Sequence, residues 1–591
     1  MTYGHGKYSR AVALGYALLL LGAVLSCRAG PSPVERDTEF NGGSRIKDQV
    51  LSDVQVQNLA LLARVWGFLK YHHPKVTAGQ RNWDYELFRV MPKVLAAANR
   101  AVGIGAITEW VEAVGAPKRC TACAMVPTAI HVPPPVDWIR DAVGLGHALS
   151  ARLVSVYENR NGARKQYYVS HDPEVGNPNF SNENAYADQP LPDAGFRLLA
   201  LYRWWNIIEY WFPYRDVLDA DWDDVLPEFI PRLMTVADAN TYRLTMIEVI
   251  ARVDDTHANL WTSLAVQPPV GTARLPVVVR FIEGEAVVTG FSNPALGQAT
   301  GLEVGDVIEA IGGARVDSLV SALRPYYAAS NEPTRLRDIA VKLTKGPAGP
   351  VTVSVRRGTH RFQWVSARAP RDQLDAEIGR AHDRPGDPFQ MLTDEVAYLK
   401  LSSVVGADAA DYVRRASRAK VFVIDIRNYP SEFVVFRLGE HLVRERTDIA
   451  RSTRGDAANP GAFVWTKPIV LKPKEPHYAG HVVILIDEIT QSSAEYTAMA
   501  FRAAPHATVV GSTTAGADGN VSPIHLPGGI RGLISGVGVF YADRSPTQRI
   551  GIIPDQVVLP TIAGIRAGRD EVLEAAVSGA LGQAWRVPVG R

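Results

Sequence analysis

At 591 residues the chain has length for three or four domains, and 47% apolar against 21% charged residues supplies folded cores without a signature of disorder. Lys+Arg 63 against Asp+Glu 61 leaves a formal charge of +2, too balanced for the broad basic field that a phosphate backbone requires, so nucleic acid is not an expected partner. Three cysteines exclude a disulfide scaffold.

Lys7 and Arg10 precede an apolar stretch from Ala11 to Leu25. That stretch is too short for a hydrocarbon core of ~30 Å but has the length of a signal-peptide core. It ends in Val24-Leu25-Ser26-Cys27, which resembles a bacterial lipoprotein cleavage box. The resemblance implies a signal peptide over 1–27, acylation of Cys27, and a mature chain held in the cell envelope by its N-terminal lipid. An ordinary cleaved signal is the alternative. Arg28 to Pro33 reads as a tether, and no later stretch approaches 18 uninterrupted apolar residues.

Residues 28–190 and 191–272 read as two related helical units. Residues 64–92 laid over 203–231 at a constant offset of 139 give seven identities, among them Trp66/Trp205, Pro74/Pro213, Trp83/Trp222 and Pro92/Pro231. Each copy has apolar residues at helical spacing, a proline that stops the helix, and Trp-Asp opening the next one. Tryptophans at such spacing are read as core, and His72 and His73 as a surface pair at a helix end. Cys120 and Cys123 form a CxxC in a loop between Pro117 and Pro127, where export favours a local disulfide; half a zinc site with His131 is the alternative.

From 273 to 370 the pattern turns to short strands. Here Gly301-Leu302-Glu303-Val304-Gly305-Asp306, followed by Ile311-Gly312-Gly313 and preceded by Asn293-Pro294-Ala295, resembles the PDZ signature. A PDZ-like β domain adds a peptide strand to its own sheet edge. The stretch before Val277 lacks the glycines that usually shape a carboxylate loop. Over 371–591 apolar strands alternate with helices expected near Ala409–Arg418, Val434–Arg444 and Ser493–Ala503, the pattern of an α/β core.

Within that core the strand HVVILID leads to Thr490, Ser492 and Ser493 at a helix start. A hydroxyl there can attack a carbonyl, with the oxyanion beside the Ser493 N–H. Ser-x-x-Glu is also a capping box, in which Ser492 only receives the helix and Glu495 reaches back. The order of segments resembles the tail-specific, or C-terminal processing, serine peptidase family. Its nucleophile motif TxSxxE plus an aromatic is matched by Thr490, Ser492, Glu495 and Tyr496, and further likeness lies in DIRNYP at Asp425–Pro430, GSTTAG at Gly511–Gly516 and GIIPD at Gly551–Asp555.

That resemblance implies a multidomain α/β protein: helical N-terminal repeat units, a PDZ-like domain and a crotonase-like α/β peptidase core. The best-known members use a lysine 25 residues after the serine, where this chain has Ala517, and its last lysine is Lys474. The chain is thus more similar to the tricorn-type branch. This implies His257 as base, Thr256 as the hydroxyl that orients it, and Gln548 at the position of a glutamate, bonded to Thr256 without supplying charge. The oxyanion turn of the family corresponds to Tyr429-Pro430-Ser431-Glu432, which implies Ser431 as the second donor. The expected function is an exported serine endopeptidase acting on polypeptides through an acyl-enzyme on Ser492, with no metal or cofactor required. A non-catalytic polypeptide- or ligand-binding protein on the same scaffold is the alternative.

Overall fold

The structure, a computed structural model, describes residues 32–588 apart from 164 and 263. The export segment and Cys27 lie outside the described residues.

The duplication in the sequence is a duplication of three helices. Asp53–His72, Trp83–Leu95 and Arg100–Val114 are followed by Ala194–Trp211, Val225–Met234 and Ala239–Ala251. The same offset carries the caps: Asn82 and Asp221 each receive a tryptophan-led segment, and Asn99 and Asp238 each cap the third helix. In the first copy the Trp66 and Trp83 indoles donate to each other's carbonyls at 3.0 Å. Trp205 and Trp222 repeat the exchange at 2.8 and 3.1 Å. The tryptophans are core, and the exchange satisfies an indole N–H that burial would otherwise strand. The two long helices touch at equivalent positions: a Cβ on Gly67 would lie 1.7 Å from Asn206 Oδ1, and Asn206 Nδ2 donates to Ala63 O at 3.0 Å. Contact between equivalent residues puts the crossing on the local twofold axis of the pair.

A buried charge cluster joins the copies. Lys70 meets Glu183 at 2.5 Å, and Arg203 meets Glu183 at 2.9 Å and Asp84 at 2.8 Å. The expected surface pair His72 and His73 is instead buried, each 1% exposed. The helix end packs against Tyr210 and Tyr157 rather than ending in solvent. Cys120 and Cys123 are joined by a disulfide, and His131 packs against Trp465 and Phe540, with ring centroids at 4.7 Å in both cases, away from any sulfur ligand role.

Residues 273–370 form an antiparallel sheet in which Val277–Ile282 is an edge strand, flanked by the helix Glu332–Leu343. Its own apolar cluster includes Leu275, Val288, Ile308, Ile339 and Val353. The α/β core has a six-stranded sheet in the order Phe389–Thr393, Val396–Lys400, Val421–Asp425, His481–Ile486, Ala507–Gly511 and Gln556–Val557, with only the first pair antiparallel. The helix Glu571–Leu581 covers one face; Ala409–Ala416, Val435–Gly439 and Ser493–Phe501 cover the other. Burial on both faces explains why these strands are continuous apolar runs. The helix expected to reach Arg444 stops at Gly439, after which His441 bonds the carbonyl of Pro476 at 2.8 Å and the chain runs on through a turn in which Leu442 and Val443 enter the core.

Candidate active site

Ser492 stands where the strand His481–Ile486 turns into the helix Ser493–Phe501. Thr490 pins that turn, accepting from Asp487 N–H at 3.1 Å and donating to Ile426 O at 2.7 Å. Ser492 has φ 56° and ψ −117°, a conformation costly for a side chain with a Cβ, of order 1–3 kcal/mol, and it persists because its surroundings fix it. Its N–H donates to Ala517 O at 3.1 Å and to Glu495 Oε2 at 3.0 Å. The fully buried Glu495 also accepts from Gly516 N–H at 2.7 Å, from Ala517 N–H at 3.1 Å and from the Thr514 hydroxyl. Burial raises its pKa against the pull of those donors. Glu495 therefore does reach back as a capping residue, and in doing so clamps the GSTTAG segment against the serine. GIIPD packs behind it: Ile552 N–H donates to Thr514 Oγ1 at 2.7 Å, and Gly551, at φ 75°, sits where a Cβ would lie 2.5 Å from that oxygen. The Ser493 N–H has no partner among the described residues and is a free donor beside the Ser492 hydroxyl.

His257 comes from the second helical copy. The loop after Ala239–Ala251 is drawn into the core by the strand Asn259–Leu260, which pairs with Leu533 and Gly532. The imidazole is buried, and its Nδ1 meets Ser535 Oγ at 2.9 Å. Ser535 Oγ donates to Asp255 Oδ1 at 3.1 Å, while the carboxylate also accepts from Ser535 N–H at 2.8 Å and His257 N–H at 3.1 Å. With Nδ1 committed, Nε2 is the nitrogen left to take a proton. Burial holds the imidazole below its ordinary 6.5; Asp255 pulls it up and Arg337 adds to the depression. It is thus neutral, and able to accept a proton, at pH 7. No hydrogen bond joins Ser492 to His257 among the described residues. The segment 514–517 links their surroundings: Thr256, the neighbour of His257, donates from Oγ1 to Ala515 O at 3.3 Å, and Ser492 N–H donates to Ala517 O. Catalytic contacts of this kind commonly tighten only with substrate.

Three expected roles are corrected. Thr256 does not orient the imidazole: its Oγ1 accepts from Ser330 N–H at 2.9 Å and lies 3.1 Å from Ser330 Oγ, because its side chain turns toward the 330 loop while that of His257 turns toward Ser535. Gln548 does not bond Thr256. Its Nε2 donates to Asp255 Oδ1 and Ser330 Oγ, both at 3.4 Å, and the charge it cannot supply is present in Asp255. Ser431 has no free N–H: that group donates to Leu401 O at 2.9 Å while its hydroxyl donates to Val404 O at 2.7 Å. In the sequence Asp255 is only part of the Asp-Asp-Thr-His context of His257, with no role of its own, and no local pattern marks Ser535 or Ser330.

The 273–370 unit holds the loop before Ser492. Arg280 donates to Glu488 Oε1 at 2.9 Å, and Arg337 to Glu488 O at 2.8 Å and Gln491 Oε1 at 2.9 Å. His382, Asp487 and Glu488 have ligand atoms within 4.8 Å of one another, a spacing open to a metal ion. Arg280 already places a cation there, at 3.6 Å from Asp487, and His382 bonds Asp487 at 2.6 Å.

Residues 395–558 match the model of Peptidase family S41, a segment that includes Ser492, Ser535 and Gln548. Comparison with curated proteins finds no match. Among solved structures the chain is similar to mature CPAF complexed with lactacystin, at 15% identity and a TM-score of 0.50 over 63% of this chain and 95% of that one. It is also similar to the photosystem II D1 C-terminal processing protease (17% identity, TM-score 0.37, covering 61% and 92%) and to the tricorn protease (13%, 0.33, covering 66% and 37%). At such identities the likeness to CPAF is one of fold, and the two lower scores add nothing to it. With the family model lying over the strand, turn and helix that carry Ser492, residues 395–558 are a Peptidase family S41 domain and the protein is a serine-type peptidase.

Proposed function

We propose that this peptidase is an exported, lipid-anchored endopeptidase that cleaves polypeptides through an acyl-enzyme on Ser492, with His257 as general base. The observation that carries the reading is the positive-φ turn at Ser492, which presents a hydroxyl at a helix start beside the free Ser493 N–H. Ser492 Oγ attacks the scissile carbonyl as His257 Nε2 takes its proton; the carbonyl π pair moves to oxygen, facing Ser493 N–H. On collapse the C–N bond breaks and His257 returns the proton to the leaving amine. Water then repeats the sequence on the ester. Ser535 and Asp255 fix the tautomer of His257 and stabilise its charged form, the work a third triad member does.

The 273–370 unit is the PDZ-like domain of this reading, taking a polypeptide strand along the open edge of Val277–Ile282 beside Glu332–Leu343. Lipid attachment at Cys27 rests on the Val24-Leu25-Ser26-Cys27 box alone. A fluorophosphonate tests the central claim: it should label the purified protein and not Ser492→Ala, and equal labelling of both would refute Ser492 as nucleophile. Palmitate incorporation in a Gram-negative host should disappear in Cys27→Ala.

A further inference from the structure

The strands Val421–Asp425 and His481–Ile486 are parallel neighbours, so the chain leaves both at the same end of the sheet. Ile426 N–H donates to Leu485 O at 2.9 Å, and the Thr490 hydroxyl ties back to Ile426 O at 2.7 Å. The segment running on to Phe436 therefore starts beside the turn that carries Ser492. Val434, Val435 and Leu438 of this segment enter the core, while Phe433 and Phe436 stay outside, 54% and 39% exposed. Two phenyl rings left in water so close to the turn are apolar surface that the fold itself does not cover.

The rings are built against the helix of Ser492. Phe433 stacks on Tyr496, with centroids 6.1 Å apart and planes inclined by 21°, and Phe436 meets Phe433 edge-on at 6.0 Å. Tyr496 N–H donates to Ser492 O at 2.9 Å, which places the tyrosine one helical turn, ~5.4 Å, from Ser492. The backbone before Phe433 is held from below: Ser431 donates its N–H to Leu401 O at 2.9 Å and its hydroxyl to Val404 O at 2.7 Å, and Glu432 Oε2 accepts from Gly406 N–H at 3.0 Å. Arg437 lies 3.8 Å from Glu432, so the charges that flank the rings in sequence face each other.

We propose that Phe433, Phe436 and Tyr496 form the subsite for a residue flanking the scissile bond, and that it selects a large apolar or aromatic side chain. The assignment deepens the reading of Ser492 as nucleophile and rests on it. Successive residues of an extended chain advance ~3.3–3.6 Å, so a substrate whose carbonyl carbon meets Ser492 has a flanking side chain within reach of a ring one helical turn away. A leucyl or phenyl group laid on Phe433 and Phe436 removes apolar surface of both partners from water, and a phenyl adds ring-to-ring contact. An aspartate or lysine would lose hydration there with no counter-charge to receive it. The rings take no part in proton transfer, so the selection is expressed in kcat/KM between substrates.

The test is competitive digestion of matched peptides, built on a sequence the parent cleaves and differing only in Phe, Leu, Ala, Asp or Lys on either side of the cleaved bond. The parent should prefer Phe and Leu to Ala on one of the two sides, and Phe433→Ala should reduce that kcat/KM ratio by about 10-fold. Labelling by a small alkyl fluorophosphonate, which needs no side-chain subsite, should keep its parental rate, and the thermal midpoint should hold because the ring is exposed. Phe436→Ala should lower the same ratio and stands in if Phe433→Ala loses its midpoint. Phe433→Glu should turn the preference toward Lys, a change that a purely structural role would not produce. Unchanged ratios in both alanine variants, with Ser492 still labelled, overturn the subsite and leave the nucleophile in place. A parent that does not label refutes Ser492 and the subsite together.

Discussion

Replacing Ser535 by alanine removes the one hydroxyl between the His257 imidazole and the Asp255 carboxylate. The lost contacts are 2.9 Å to Nδ1 and 3.1 Å to Oδ1, and both partners are buried, at 8% and 0% exposure. In the ground state the imidazole is neutral and the loss is that of an ordinary hydrogen bond, about 1 kcal/mol. With His257 as the proposed base, the imidazole is cationic in the transition state, and a hydrogen bond relayed to a carboxylate is then worth about 1.5–3 kcal/mol. The difference, about 0.5–2 kcal/mol, appears in kcat as a fall of roughly 2- to 30-fold at an unchanged KM. Ser535 N–H still donates to Asp255 at 2.8 Å, so the loop keeps its anchor and the fold should survive. The base should also titrate lower than in the parent, since Ser535 is the hydrogen-bonded route by which Asp255 favours the charged ring. Steady-state rates and phosphonate labelling between pH 5 and 8, alongside Ser492→Ala as the inactive control, measure both effects. Parental kcat and an unmoved pH profile in Ser535→Ala would falsify the relay.

Peptidase activity should rise with pH through an apparent pKa below 6.5, since burial depresses His257, and His257→Ala should cost several orders of magnitude at every pH. Gln548→Glu should reduce activity and stability, by ~1–3 kcal/mol in the latter, because it sets a second carboxylate against Asp255 where Nε2 now donates; unchanged urea midpoint and kcat would contradict this. His72, shifted from 6.5 to about 3 by burial with Nε2 unpartnered, binds its proton in the unfolded chain first. The stability it contributes is fully present above pH 6.5 and lost as pH falls toward 3, on the order of 5 kcal/mol in all, and His72→Phe should flatten that limb of the urea midpoint against pH.

The strands of the core were legible as apolar runs because both faces of a parallel sheet are buried, and Ser492 was legible because strand, turn and helix follow one another locally. The repeat was legible through its identities, and the structure shows what they conserve: one tryptophan exchange per copy. What could not be read is long-range. Ser535 meets His257 across 278 positions, and Ser330 meets Thr256 across 74. Neither serine differs locally from a solvated one. The His72–His73 pair misled for a related reason: helical spacing marks a face, but whether that face meets water depends on Tyr157 and Tyr210 arriving from elsewhere. The Ser431 assignment failed on backbone commitment, since a residue may occupy a donor's place in a pattern while its N–H is spent on Leu401.

The duplication explains why the proposed base lies so far ahead of the proposed nucleophile in sequence. In both copies the chain leaving the third helix passes through a residue with positive φ at the same offset, Gly115 at 94° and Asp254 at 50°, and then contributes a strand to the core. In the first copy that strand is Ile130–Val132 against Asn459–Trp465; in the second it is Asn259–Leu260 against Ile530–Ser535. At the common offset, Asp255 and His257 correspond to Ala116 and Lys118, so only the second copy has a carboxylate and an imidazole at this exit. The first copy braces instead: its exit is closed by the Cys120–Cys123 disulfide, and its long helix carries Lys70, bound through Glu183 to Arg203 of the second. Arg203 also donates to His525 O in the strand paired with Ile530–Ser535, the strand that ends in Ser535. Changes that loosen the first copy therefore reach His257 through its support, and their effect on catalysis should take the form of a displaced base rather than a lost nucleophile.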